Sequence, residues 1–205
     1  MSINENKRKK AEQLFKEYLN KKSIPFYCID QNRETYSKEF YRKNIQRPDF
    51  IIYTEKQIYH IDVKYRTKKT YGESIEKRYY INHVDLIRLF NFQSKFNAIV
   101  WISFINNLES PKFYYASISD IYDFYKKIEV SIGENIRKMV REYCTDNQKD
   151  YYSEMFIFVP DNLLYKQLSY EKGIFNYINN ENFEEEIKCH ESEWVRAIYS
   201  KVSKF

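Results

Sequence analysis

The sequence predicts an α/β fold, and three stretches of the chain carry that prediction. Residues 4–22 place apolar side chains at helical spacing and polar ones elsewhere, which is typical of an amphipathic helix. Two short runs rich in β-branched and aromatic residues, 50–53 and 58–65, flank the polar tetrapeptide 54–57 and predict a β-hairpin. The continuous apolar run 98–105 has the length of a strand buried on both faces.

The remaining elements follow from local signals along the chain. A first strand is predicted over residues 24–30, followed by a polar connection over 31–46. Asn82 is a candidate N-cap for a helix, with Asp85 three residues later. Residues 112–118 are predicted to form a further strand. The predicted order is therefore helix, three strands, helix and two strands.

Residues 1–118 are predicted to form the core, and residues 119–205 a mostly helical extension packed on it. Ser119 is a candidate cap for a helix that reaches Ile128, and residues 132–143 carry a second helical face. A short strand is expected at 156–159, ended by Pro160, and a last helix from Asn182. No linker defines a second independent domain.

Composition and charge limit the class of protein. Of the 205 residues, 43% are apolar and 31% charged, which predicts a folded chain. Residues 1–80 hold 19 of the 34 basic and 11 of the 29 acidic residues, a net charge of +8, whereas the rest carries −3. A basic half of this kind favours a polyanionic partner. Isolated cysteines, with neither a membrane-spanning run nor a signal peptide, lead us to expect a cytoplasmic location and no membrane partner.

The hairpin is also the candidate site. Whether the turn is residues 55 and 56 or the whole tetrapeptide 54–57, paired positions sum to 111, which places Asp49 opposite Asp62. Because side chains alternate with period two, Lys64 shares that face. Facing carboxylates repel unless a cation lies between them, and oxygen ligands without nearby His or Cys suit Mg²⁺. The alternative is a solvated strand face with a screened ion pair.

These residues carry a resemblance to a known family. Pro48-Asp49 on one strand and Asp62-x-Lys64 on the next resemble the PD-(D/E)XK nuclease superfamily. The family's αβββαβ core matches the predicted order over residues 5–118, so the resemblance implies a restriction endonuclease-like fold with a mixed central sheet. Both restriction or phage-type and Holliday junction resolvase-like nucleases stay open, because the glycine-rich entry to the Pro-Asp strand is absent here.

The resemblance implies a Mg²⁺-dependent endonuclease acting on DNA, with Mn²⁺ as a substitute ion. Asp49, Asp62 and the backbone carbonyl of Val63 would hold the metal. Lys64 would orient the attacking water or stabilise the transition state. Glu12 matches the glutamate that the first helix of resolvase-like members presents to the metal. Glu5 and Glu17 are weaker substitutes.

Basic residues near the hairpin are candidates for contacts with the DNA backbone. They are Arg42, Lys43, Arg47, Arg66, Lys68, Lys69, Lys77 and Arg78. The basic cluster at residues 7–10 is either a solvated helix end or a phosphate-contacting arm. The alternatives to DNA cleavage are a catalytically inactive DNA-binding protein of the same fold and an RNA-directed nuclease. Because cutting both strands often requires two sites, a homodimer is expected.

Overall fold

A computed structural model of the protein describes residues 3–35, 37–66, 78–131 and 156–175. The helices in this part of the chain are α1 (Ile3–Lys21), α2 (Lys38–Arg42), α3 (His83–Phe96) and α4 (Ile118–Ser131). The strands are β1 (Phe26–Cys28), β2 (Phe50–Tyr53), β3 (Ile58–Tyr65), β4 (Tyr79–Asn82), β5 (Val100–Ile105), β6 (Phe113–Ser117), β7 (Phe156–Val159), β8 (Gln167–Ser169) and β9 (Gly173–Phe175).

The central sheet has five strands in the order β1-β2-β3-β5-β6. β3 and β5 are parallel and are joined by a crossover that contains α3, whereas every other neighbouring pair is antiparallel. Parallel strands need such a crossover because a tight turn reverses the chain direction and therefore joins antiparallel strands only. The predicted α/β fold with a mixed central sheet is therefore confirmed.

The hairpin between β2 and β3 has the predicted register. Tyr53 pairs with Ile58 and Phe50 pairs with Ile61, so paired positions sum to 111. The turn closes with a 3.2 Å hydrogen bond from the Thr54 backbone N–H to the Gln57 carbonyl. A turn of fixed length sets the register of the whole hairpin, so this local feature determines which residues oppose each other further along it.

Helices cover both faces of the sheet, and the period-two alternation of β3 decides what each face receives. Tyr59, Ile61 and Val63 point to the face that α1 covers, where they share a buried cluster with Phe15 and Leu19. α3 and α4 pack on the opposite face in a second buried cluster. The intervening residues of β3, including the candidate charged ones, therefore point toward the side of α3.

Four local details differ from the predicted elements. The first strand is shorter than expected, and the chain adds β4, which pairs with β7 in a separate two-stranded sheet. Asn82 does occupy the N-cap position of α3, but its side chain makes no capping hydrogen bond. α4 begins one residue before Ser119, because the Ser117 hydroxyl accepts from the Asp120 N–H while Ser119 accepts from Gln93.

The extension after residue 118 is described only in part. α4 and β7 lie where a helix and a strand were predicted, and the hairpin of β8 and β9 was not predicted. The helices expected at 132–143 and from Asn182 onward fall outside the described residues. Within the described part of the chain, no helix has the length and apolar character needed to cross a membrane.

Candidate functional site

Asp49 is fixed at the start of β2 by its backbone and by its side chain. Its N–H donates to the Ile61 carbonyl at 2.9 Å and its carbonyl accepts from the Ile29 N–H at 2.8 Å. One carboxylate oxygen, Oδ2, accepts from the Val63 N–H at 2.7 Å. β2 begins only at Phe50, so no residue of β2 pairs with Val63. The Asp49 carboxylate accepts from the Val63 N–H in place of a backbone carbonyl of a neighbouring strand.

Asp62 and Lys64 lie next to Asp49 on the face of β3 that points toward α3. Asp62 is 1% exposed, and both of its oxygens have partners. Oδ1 accepts from Gln46 Nε2 at 3.0 Å, and Oδ2 lies 2.9 Å from Lys64 Nζ. The same ammonium is 3.3 Å from Oδ2 of Asp85 on α3. The predicted cluster of Asp49, Asp62 and Lys64 is thus brought together in the structure.

Burial makes negative charge costly at this cluster. It raises the pKa of Asp49 well above the usual range, and repulsion from Asp62 and Glu12 adds to the effect. Burial also raises the pKa of Asp62, against the opposing attraction of Lys64. For Lys64, burial alone would lower the pKa, but the carboxylates of Asp62, Asp85 and Asp49 reverse the sign and raise it. Lys64 is therefore protonated and acts as a hydrogen-bond donor. Because the acids beside it are costly to ionise, binding of a further cation would stabilise their ionised forms.

Glu12 reaches the same region from α1. Its Oε1 lies 3.2 Å from Arg8 Nε, and its side chain is 24% exposed. Burial raises the Glu12 pKa, Arg8 lowers it, and the nearby charge of Asp62 raises it further. Glu12 therefore lies within electrostatic reach of Asp62 and Lys64, whereas Glu5 pairs with Lys9 along the helix.

The cluster forms part of the floor of an open cleft of about 1230 Å³. One wall is the first turns of α1, with Lys7 and Arg8, and the other includes residue 40, residues 44–46 and Arg88. Arg66 and Tyr80 line the floor beyond Lys64. Four cationic side chains in addition to Lys64 therefore surround the acids, which suits a polyanion lying in the cleft.

The predicted backbone-contacting residues divide into three groups. Arg66 lines the cleft. Arg42 and Lys43 pair with Glu39, and Arg47 donates to the Thr35 hydroxyl at 2.7 Å, so these three serve local structure and do not line the cleft. The remaining four residues precede β4. Arg78 directly before that strand does not line the cleft, and Lys68, Lys69 and Lys77 lie outside the described residues.

Two residues at the site were not anticipated from the sequence. Gln46 holds Asp62, and no pattern around position 46 indicates this, because the contact depends on how the connection folds over the sheet. Arg88 follows Asp85 by three positions and so lies on the same side of α3. This spacing could have predicted that Arg88 lies near the site. Its Nε donates to Asn44 Oδ1 at 2.7 Å, which joins α3 to residues 44–46 of the same wall.

The donor set fits a hard divalent cation. In the described part of the chain, no three or more His, Cys, Asp or Glu side chains are grouped to hold a metal, so the protein carboxylates here number at most two per ion. Mg²⁺ commonly binds through one or two carboxylates and keeps water or phosphate oxygens as its other ligands. Asp49 and Asp62 supply those carboxylates. The Val63 carbonyl, on the same strand edge as the N–H bonded to Asp49, is a further oxygen donor.

Comparisons with known proteins give one informative match. Among curated proteins, none matches this chain significantly. Among solved structures, the Holliday junction resolvase Hjc of Archaeoglobus fulgidus is similar over 54% of this chain and 77% of its own, with 14% identity and a TM-score of 0.39. Values this low say nothing about what this chain does. A family model described as nuclease-related domain matches residues 7–116. Since that match spans more than half of the chain, the protein belongs to the nuclease-related domain (NERD) family.

Proposed function

We propose that this protein is a Mg²⁺-dependent endonuclease that hydrolyses phosphodiester bonds in DNA, of the restriction or resolvase-like type. The observation that carries the proposal is the arrangement of Asp49, Asp62 and Lys64. The carboxylates of Asp49 and Asp62 lie close enough to repel each other, and the Lys64 ammonium lies beside Asp62 in a cleft lined by four further cationic side chains. Membership of a nuclease-related family supports the same chemistry.

Asp49, Asp62 and the Val63 carbonyl are the groups that would hold the ion. Bound there, Mg²⁺, or Mn²⁺ in its place, would lower the pKa of a water molecule and offset charge on the phosphate. Lys64 is held in its protonated form by the surrounding acids, so it acts as a donor to phosphate oxygens and not as a base. Glu12 adds a further carboxylate from α1.

The cleft residues around the acids would hold the nucleic-acid backbone. Lys7 and Arg8 approach from α1, Arg66 from the end of β3, and Arg88 from α3. Contacts of this kind position phosphates without reading bases. The proposal therefore assigns the cleft to the DNA backbone and makes no assignment of sequence preference.

Cleavage assays test the proposal directly. Purified protein is incubated with supercoiled, linear, branched and single-stranded DNA in Mg²⁺, in Mn²⁺ and in EDTA. We expect cutting only with a divalent ion, and we expect Asp62→Asn and Lys64→Ala each to abolish it while DNA binding is largely retained. Lys95→Ala, an exposed lysine on α3, is the matched control and should cut normally.

The outcomes separate the candidate functions. Full cleavage by Asp62→Asn, with circular dichroism showing a folded protein, would contradict the assignment of the site. A wild-type protein that binds DNA but cuts no substrate with any ion would favour the inactive DNA-binding alternative. Adding single-stranded and duplex RNA to the panel distinguishes an RNA-directed nuclease.

Assembly is a separate part of the proposal. A single cluster of Asp49, Asp62 and Lys64 cuts one strand at a time, so cutting both strands in one encounter calls for a second site. We therefore propose a homodimer. Light scattering coupled to size exclusion, with and without DNA, measures the mass, and a monomer under both conditions would contradict this part of the proposal.

A further inference from the structure

Lys64 has an acidic partner on each side, and only one of them belongs to the candidate metal-binding set. Its Nζ lies 2.9 Å from Asp62 Oδ2 and 3.3 Å from Asp85 Oδ2. The Lys64 side chain is 13% exposed, and that of Asp85 is 22% exposed. This is a largely buried arrangement linking β3 to α3, in contrast to the exposed ion pairs within α1 and α2.

Each carboxylate oxygen of Asp62 already has one polar neighbour. Gln46 donates to Oδ1 at 3.0 Å, and Lys64 lies against Oδ2. A cation held by Asp62 must therefore share this carboxylate with Lys64, which weakens the attraction between Asp62 and the ammonium. Without another anion nearby, the Lys64 ammonium would be held less firmly at the site once the cation is bound.

We propose that Asp85 is a positioning residue that holds the Lys64 ammonium at the active site when Asp62 shares its carboxylate with a cation. The inference rests on the proposed function, and it adds a role for α3 in the chemistry. The Asp85 carboxylate faces two cations, because Arg66 Nη2 also lies 3.9 Å from its Oδ2.

Arg66 gives the arrangement a second support. It lies over the ring of Tyr80 at 5.4 Å from the centroid and donates from Nη1 to the Tyr65 carbonyl at 3.0 Å. Its guanidinium is thus held independently of Asp85. Loss of the Asp85 charge should therefore affect Lys64 more than Arg66, so DNA binding should change less than the rate of the chemical step.

The experiment compares Asp85→Asn, Asp85→Glu and the control Asp123→Asn, which makes the same change on an exposed carboxylate of α4. On a DNA substrate that the wild type cuts with Mg²⁺, we expect Asp85→Asn to lower kcat by about 10- to 100-fold, the range typical of residues that orient groups around a metal site. KM for DNA should stay within about twofold. Asp85→Glu should recover most of the rate, and Asp123→Asn should behave as the wild type does.

A second readout does not require cleavage. The ammonium of Lys64 should give a distinct ¹H–¹⁵N resonance in the metal-free protein, because it is largely buried and held by two acids. When Mg²⁺ is added, we expect that resonance to broaden or vanish in Asp85→Asn and to persist in the wild type and in Asp123→Asn. A sharp Lys64 signal in Asp85→Asn, at a Mg²⁺ concentration that shifts the wild-type signal, would overturn the inference even for a protein that cuts nothing.

The outcomes separate this inference from the nuclease proposal. An unchanged kcat in Asp85→Asn, or a loss of kcat that Asp85→Glu does not recover, would overturn the inference and leave the nuclease proposal standing. Wild-type protein that cuts no nucleic acid would instead overturn the proposed function. If Asp85→Asn does not fold by circular dichroism, Asp85→Ser takes its place with the same expected outcomes.

Discussion

Asp49 shows how burial and repulsion act on a single residue of the site. Its carboxylate accepts a hydrogen bond from Val63, yet its pKa is raised well above the usual range because burial and the charges of Asp62 and Glu12 disfavour the anion. A bound cation would reverse this balance. Without one, the ionised carboxylate costs the folded state free energy.

The sign of that cost gives a prediction for stability against pH. A carboxyl whose folded-state pKa lies above its unfolded value of about 3.9 contributes stability below that value, and the contribution is lost as pH rises through the folded pKa. We therefore expect Asp49→Asn to be more stable than the wild type at pH 7 in EDTA, by on the order of 1–2 kcal/mol. The difference should shrink as pH falls toward about 4. Thermal denaturation across pH measures it.

The asparagine keeps an oxygen that can accept from the Val63 N–H, so the comparison isolates the charge. Glu109→Gln, which removes the charge of an exposed carboxylate, is the control and should leave the pH profile unchanged. Mg²⁺ should raise the wild-type Tm more than that of Asp49→Asn. An Asp49→Asn protein that is less stable than the wild type at pH 7 in EDTA would contradict the electrostatic argument.

Helix α1 is the element that supports the site from the other face of the sheet. Phe15 is fully buried, and its ring centroid lies 5.2 Å from those of Phe50 and Phe113. These contacts fix α1 against the start of β2, next to Asp49. The same helix carries Glu12 and the cleft cations Lys7 and Arg8, so its packing and the site geometry are coupled.

Removing the central contact of α1 should therefore affect both stability and activity. We expect Phe15→Ala to lower the free energy of unfolding by about 3–5 kcal/mol, the usual cost of deleting a fully buried phenylalanine. Urea denaturation followed by circular dichroism measures this loss. Cleavage should also fall, because Glu12 and the cations of α1 lose their position relative to Asp49.

The adjacent Lys16 provides the control, since its side chain is exposed on the same helix. Lys16→Ala should change the unfolding free energy by no more than about 0.5 kcal/mol. If Phe15→Ala cost less than about 1 kcal/mol, α1 would not be held by this contact, and the expected link between its packing and the site would fail.

At the scale of the whole molecule, the cleft gathers positive charge from distant parts of the chain. Lys7 lies 5.7 Å from the centroid of the Tyr65 ring, and Arg88, on the opposite wall, is bonded to Asn44. Both line the cleft together with Arg8 and Arg66. Three of these four cations come from residues 1–80, the part of the chain with a net charge of +8.

This distribution predicts the salt dependence of DNA binding. We expect Lys7→Ala and Arg88→Ala each to reduce the slope of log K against log salt by about 1, because each removes about one phosphate contact. Binding should weaken by a similar factor for duplexes of different sequence. Fluorescence anisotropy over a series of salt concentrations measures both quantities.

Lys112 supplies the matched control, because it is exposed just before β6 and does not line the cleft. Lys112→Ala should leave the slope unchanged. Equal slopes for the wild type, Lys7→Ala and Arg88→Ala would show that nucleic acid does not enter this cleft.

Much of the fold and part of the site could be read from the sequence because the deciding interactions are local. A turn at residues 55 and 56 sets the register of β2 and β3, and period-two alternation then places Asp62 and Lys64 on one face of β3. Asp49 lies just before the paired residues, and the Val63 N–H holds its carboxylate. Helical spacing likewise identifies the buried stripe of α1. The predicted relationship to nucleases, which those three residues suggested, is confirmed by the family match.

Only the tertiary structure decided which side chains surround that face. Gln46 reaches Asp62, Asp85 reaches Lys64, and Arg88 lines the cleft only after the connection and α3 have packed on the sheet. The pairing of β4 with β7 depends in the same way on segments far apart in sequence. Such contacts leave no periodic trace along the chain, because they are set by how elements pack together and not by the geometry within any one of them.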